Sequence, residues 1–172
     1  MKIKLILTVL MISIVPAAPI LCGIILFGIF MYPTKLPKDK DLIVLFSAHR
    51  EEFEKLRKMA DVDGGRGMII KAYDSNSKLE KSRQQEYDDI IPKISAGMSV
   101  RWEEGGVVKY IIARDGCVIS DSWDKGIAYI PGNHERYGTI KHDLDDVGKL
   151  GTGTYSRKIE PNWFLFYWFY KE

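Results

Sequence analysis

From Leu5 to Tyr32 the chain runs 28 residues without Asp, Glu, Lys, Arg or His. As a straight helix this run spans roughly 42 Å, more than the ~30 Å hydrocarbon core of a bilayer, so the pattern predicts one membrane-spanning helix with room to tilt. Lys2 and Lys4 precede it and Tyr32 closes it, framing the run with a basic end and an interfacial aromatic. Pro16 and Pro19 each remove an N–H in its middle and predict a kink that a membrane helix tolerates. A cleaved signal peptide is the competing reading, with Leu5–Val15 as its apolar region and Val15-Pro16-Ala17 as a cleavage site. Cleavage would leave Ile20–Tyr32 as an apolar new terminus, which favours an uncleaved signal anchor over residues 1–33. Cys22 as a lipid-modified residue is disfavoured by Leu21, which stands where a small residue is required. Lys35, Lys38 and Lys40 offset Lys2 and Lys4, so the charge bias sets no orientation. The short tail ahead of the run favours placing the rest of the chain on the outer side of a bacterial cytoplasmic membrane.

After the run the periodicity changes several times. Residues 34–41, with Pro37 among Lys and Asp, read as a linker, and 42–172 as one domain. Ser47 is placed to cap a helix running to about Ala60, with Phe46, Phe53, Leu56 and Ala60 on its apolar side. Glu51/Lys55 and Glu54/Lys58 form favourable i,i+4 pairs on its wet side. Met68–Tyr73 reads as a strand, and Lys78–Ile90 as a second helix stopped by Pro92. The period then becomes two. Val100–Glu103, Val107–Ala113, Cys117–Ser120 and Ile127–Ile130 read as short strands, with Asp121–Gly126 as one of the turns between them. A long loop, Pro131–Gly153, precedes a hairpin of Tyr155–Glu160 and Trp163–Tyr170 over Pro161-Asn162. The fold class expected is α+β: one N-terminal transmembrane helix, then two helices packed on an antiparallel sheet of five or six strands.

Charge narrows the partners. The whole chain carries 25 Lys+Arg and 23 Asp+Glu, and Lys2 and Lys4 are the charges before Thr34, so 23 of each sign remain beyond it. A neutral domain argues against nucleic acid as a partner. Cys22 and Cys117, one in the apolar run and one in the domain, do not suggest an intramolecular disulfide.

Few residues carry a chemical signal. Asp61-Val62-Asp63-Gly64-Gly65 opens like a calcium loop, but Gly65, Arg66 and Ala72 occupy positions that need an oxygen ligand, a glycine and a glutamate. His134, Glu135, His142, Asp143, Asp145 and Asp146 share one loop without a compact zinc spacing. They are a weak binding candidate, best represented by His134, His142 and Asp143. Gly148–Thr154 is glycine-rich with one Lys, but it lacks the phosphate-loop order and leads into a strand. Cys117 sits in an apolar strand, Ser120 and Ser122 lack a nucleophile-elbow context, and the Asp88-Asp89 and Glu103-Glu104 neighbours project in different directions. No catalytic residue, cofactor or metal is assigned. Trp102, Trp123, Trp163 and Trp168 mark an aromatic sheet face or edge as an alternative binding surface, with Trp123 and Trp163 as its lead candidates.

Lys125-Gly126-Ile127-Ala128-Tyr129-Ile130-Pro131, followed by Ile159-Glu160-Pro161-Asn162-Trp163-Phe164-Leu165-Phe166-Tyr167, resembles a pattern in small uncharacterised bacterial proteins with an N-terminal hydrophobic anchor. It covers about a third of the chain. The resemblance implies a bacterial, membrane-linked protein and carries no activity with it. The function expected is a non-enzymatic, membrane-tethered interaction module of the bacterial envelope, touching the bilayer through residues 5–32 and a protein partner through its domain. The alternatives are an immunity-type protein that neutralises a toxin at the membrane, and a ligand- or metal-binding or hydrolytic domain built on the 134–146 loop.

Overall fold

A computed structural model describes residues 36–64, 68–115, 122–132, 138–146 and 151–170. The chain divides into two compact units, Met1–Pro33 and Thr34–Glu172, and all the described residues lie in the second. Asp39 and Asp41 open helix α1 (Asp39–Ala48), where carboxylates complement the positive end of the helix dipole. Leu42 and Phe46, one turn apart, are its buried face. Helix α2 (Arg50–Asp63) buries Phe53, Leu56, Met59 and Ala60 at the 3–4 spacing of one stripe. Its end is fixed by Gly64, whose N–H donates to the Ala60 carbonyl at 2.7 Å. A side chain at Gly64 would overlap that carbonyl and the Trp102 indole packed across it. Helix α3 (Lys81–Ile94) buries Tyr87, Ile90, Ile91 and Ile94 in the same manner.

Among the described residues seven strands form one mixed sheet: β1 (Ile69–Lys71), β2 (Ser99–Glu103), β3 (Val107–Asp115), β4 (Ser122–Tyr129), β5 (Thr139–Ile140), β6 (Gly153–Glu160) and β7 (Trp163–Tyr170). Their spatial order is β1-β2-β3-β4-β7-β6-β5, antiparallel throughout except for the parallel β5–β6 pair. Gly105 and Gly106, both at positive φ, close the tight turn from β2 to β3. Side chains alternate across the pleat. On the first face Val100, Val108, Tyr110, Ile127, Tyr155, Trp163, Leu165, Tyr167 and Phe169 join the buried residues of all three helices in one core. On the second face Val107, Ile111, Ala128, Ile130, Phe164 and Phe166 form a smaller cluster that includes no helix residue.

A bulge interrupts the alternation in β3. Ile111 pairs with Gly126 and Ala113 with Lys125, leaving Ile112 as the extra residue. Without it Arg114 would point to the helix side; with it Arg114 turns to the second face beside Asp124. Gly126 is required opposite the bulge, because a Cβ there would overlap the Tyr110 carbonyl oxygen.

These findings correct the expected fold. Among the described residues there are three helices, not two, and a sheet of seven strands that is mixed. Ser47 caps nothing: its hydroxyl donates back to the Ile43 carbonyl within α1 at 2.9 Å, and the break between helices falls at His49. The last residues of the expected linker, from Asp39 on, belong to α1. Pro92 lies inside α3, in its last turn, and the helix closes two residues later with the Ser95 N–H on the Ile91 carbonyl. Ser122–Gly126 is strand rather than turn, because distant residues satisfy its polar groups. No helix among the described residues is long and apolar enough to cross a membrane. The 5–32 run on which the transmembrane expectation rested lies outside the described residues.

Candidate functional site

Lys125 and Asp124 are neighbours on β4, point to opposite faces of the sheet, and are both buried. On the helix side Lys125 is wholly enclosed. Its Nζ lies 2.9 Å from Asp39 Oδ1, a charge contact without the geometry of a directed hydrogen bond. It donates to Asp145 Oδ1 at 2.9 Å. Asp39 Oδ2 accepts from Arg157 Nη1 at 3.0 Å and from the Leu144 N–H at 2.9 Å, while the Asp39 N–H donates to Asp145 Oδ1 at 2.8 Å. Burial pushes the Asp145 carboxyl up, but hydrogen bonds from Lys125 and Asp39 and the Lys125 charge outweigh it and hold the group below its ordinary pKa. The network fastens the first residue of α1 and the 143–145 turn to the sheet.

Asp39, Asp143 and Asp145 bring carboxylate oxygens within 4.8 Å of one another, a grouping able to hold a cation. The residues do not fit a metal, however. The Lys125 ammonium already sits 2.9 Å from two of the three carboxylates, and Asp143 Oδ1 accepts the Asp145 N–H at 2.7 Å. The resident cation of this cluster is a lysine.

On the second face, β2, β3, β4, β6 and β7 border a groove of about 480 Å³, within the size range of small-ligand sites. One row across the sheet sets its character. Arg114 pairs with Asp124, Asp124 with Trp168, and Trp168 with Thr154, all facing outward. Arg114 grips Asp124 with two bonds, Nε to Oδ1 at 2.6 Å and Nη2 to Oδ2 at 3.1 Å. That hydrogen bonding raises the Arg114 pKa further, so the guanidinium stays charged. Deeper in, Lys109 Nζ pairs with Glu103 at 2.9 Å and stands 5.6 Å from the centroid of the Phe166 ring. Arg101, Asp115 and Ser122 complete the polar wall. Among the described lining residues, Arg101, Lys109 and Arg114 equal Glu103, Asp115 and Asp124 in number. Trp168 is 37 % exposed and Tyr170 48 %. Their rings, two positions apart on β7, lie 6.5 Å apart and within 14° of parallel.

The residues singled out in the sequence fall elsewhere. Trp163, 1 % exposed, sits on the core side among Phe46, Phe53, Tyr110 and Tyr129, with the Arg50 guanidinium 4.9 Å from its ring centroid. Trp123 is half-buried on the same side, stacked on Tyr167. Trp102 is half-buried against Gly64. Of the four tryptophans, Trp168 lines the groove. His142 and Asp143 are exposed after β5, and His134 and Cys117 lie outside the described residues. Sequence reasoning missed Lys125, Asp39, Arg114 and Asp124. The period-two series Trp123, Lys125, Ile127, Tyr129 was the available signal for a lysine facing inward.

No family model, curated protein or solved structure matches this chain. Neither His nor Cys is among the described groove residues, and the lining offers hydrogen bonding, charge and stacking.

Proposed function

We propose that this chain is a non-enzymatic binding module of the bacterial envelope, attached to the bilayer through residues 5–32, and that the groove on the second sheet face is its recognition surface. The observation that carries the reading is Trp168, a large aromatic left 37 % exposed beside the fixed Arg114–Asp124 pair. Exposed aromatics flanked by oriented polar groups are typical of binding surfaces, whereas a folding core would enclose them. Bilayer attachment is supported by the uncharged 28-residue run.

A photo-crosslinking residue placed at 168 in the full chain, in living cells, tests the recognition surface. Placed at Lys55, on the exposed side of α2, it serves as the control. The expected result is a discrete adduct from 168, absent from 55, that fades in the Arg114→Glu variant. Identical adducts from both positions, or none from 168, would remove the groove from the account.

A further inference from the structure

We infer that Lys71, Ser99 and Arg101, side by side on the second sheet face, bind a phosphate group. That this group belongs to the ligand of the groove rests on the groove being the recognition surface. The register brings the three residues together. Lys71 of β1 lies directly opposite Ser99 of β2, and Arg101 is the next residue of β2 on the same face. Diagonal neighbours such as Lys71 and Arg101 stand about 7–8 Å apart, within reach of long side chains. Ile70, Val100 and Trp102, which alternate with them, pack in the core on the other face. Arg101 borders the groove, Lys71 and Ser99 border a hollow of about 260 Å³, and Arg114 lines both, so the two adjoin. Gly97 forms part of the hollow's wall, and a carbon added there would meet nothing within 4 Å, so the space is open.

These donors are unanswered. Lys109 lies directly across from Arg101, and like charges in that relation repel. Lys109 is neutralised by Glu103 at 2.9 Å, and Arg114 is held by Asp124 at 2.6 Å. Arg101, half-buried, and Lys71 have no carboxylate partner of their own among the described residues. Ser99 is 5 % exposed, and its hydroxyl likewise has no hydrogen-bond partner among the described residues. A half-buried guanidinium facing another cation is costly to the folded chain, and an arriving anion offsets that cost. Two cations and a hydroxyl suit a phosphate, which carries about two negative charges and three terminal oxygens. A carboxylate brings one charge for the two cations. The guanidinium fork takes two oxygens in one plane, Lys71 adds a point charge from the edge strand, and the Ser99 hydroxyl donates between them. The site makes no demand on Arg114.

The test is titration of the full chain, held in dodecyl maltoside, with inorganic phosphate at constant ionic strength, read from the arginine Nε–H signals by NMR. The expected result is a saturable shift of one arginine signal, identified as Arg101 by its loss in Arg101→Gln. Lys71→Gln and Ser99→Ala should each weaken binding, the former about tenfold, whereas Lys55→Gln on the exposed side of α2 should not. Raising the ionic strength from about 50 to 300 mM should also weaken it. Arg101→Gln should not lower the melting temperature, since it relieves the repulsion from Lys109; a fall would mark Arg101 as a structural residue and count against the site. Acetate should shift the same signal less at equal concentration. Short-chain phosphatidic acid added to the micelles distinguishes the source: displacement of inorganic phosphate assigns the site to a lipid headgroup, and no displacement assigns it to a soluble phosphate. No saturable shift, or a stronger response to acetate, overturns the phosphate assignment. If position 168 still crosslinks in cells after such a failure, the recognition surface stands without a phosphate site. If 168 fails while Arg101 binds phosphate, the phosphate site stands and the groove around Trp168 falls.

Discussion

Replacing Lys125 by Met removes the ammonium around which the 143–145 turn, Arg157's partner and the start of α1 are arranged. Two carboxylate oxygens stand 2.9 Å from Nζ. At an effective dielectric constant of about 20, each such contact is worth roughly 6 kcal/mol of Coulomb energy. Desolvation cancels much of that, several kcal/mol for each ion. The two partners also differ. Asp39 is buried, whereas the Asp145 side chain is 38 % exposed, so solvent screens its share. The loss therefore centres on Asp39, which keeps Arg157 and the Leu144 N–H but becomes an under-compensated buried carboxylate. Removal of one member of a buried pair costs about 3–5 kcal/mol, against a total stability of about 5–15 kcal/mol. With a urea slope near 2 kcal/mol/M, the unfolding midpoint should fall by about 2 M. Urea titration of the full chain, with buried Trp163 as the fluorescent reporter, measures this directly. In a double-mutant cycle Asp39→Asn should cost much less in the Lys125→Met background than in the native one. A midpoint shift below about 0.5 M, or strict additivity in the cycle, would refute the role assigned to the network.

Other consequences follow from the same structure. Trp163→Ala should destabilise by about 3–5 kcal/mol by emptying the aromatic core, whereas Trp168→Ala should leave the urea midpoint within experimental scatter. Gly126→Ala should destabilise the chain by about 1–3 kcal/mol or more through its clash with the Tyr110 carbonyl, read as a lower melting temperature, while Gly97→Ala, with nothing within 4 Å of the added carbon, should leave it unchanged. Hydrogen bonding to Arg57 is the largest influence on Glu54 and holds its carboxyl below the ordinary value, and Asp145 is likewise lowered on balance. A carboxylate whose pKa falls on folding contributes stability above its unfolded pKa and loses it as pH falls through the folded one. Urea midpoints should therefore hold from neutral pH to about 4 and decline below it. Glu54→Gln and Asp145→Asn should each flatten that decline.

How much of this was legible depended on whether a segment's partners were near it in sequence. The final hairpin could be read because Pro161-Asn162 announces its turn, and Asn162 adopts the positive φ (65°) that asparagine tolerates. The apolar stripe of α2 was legible for a similar reason, since helical spacing is local, whereas Ile91 and Ile94 of α3 lie beyond the end that Pro92 suggested. β4 was not, because Ser-Trp-Asp-Lys-Gly has the composition of a turn. Its Asp124 is answered by Arg114 across the sheet, and its Lys125 by Asp39 and Asp145 from other elements. β7 offered no polar face, so its alternation could not say which aromatics were exposed; the pairing with β4 and β6 decides that Trp168 and Tyr170 face outward. Arg114 was hidden by the bulge at Ile112, which reverses the facing that strict alternation assigns. The two-residue β5 carries no period at all, which is why a mixed sheet was read as antiparallel.

Oxidative footprinting of the full chain in intact cells and after purification tests most directly whether the groove is occupied where the protein works. Tyr73, 73 % exposed and away from the groove lining, provides the internal standard. With its recognition surface engaged in cells, Trp168 should oxidise several-fold more slowly there, relative to Tyr73, than in the purified chain. Equal relative rates in both settings would contradict the assignment of this face as the working surface.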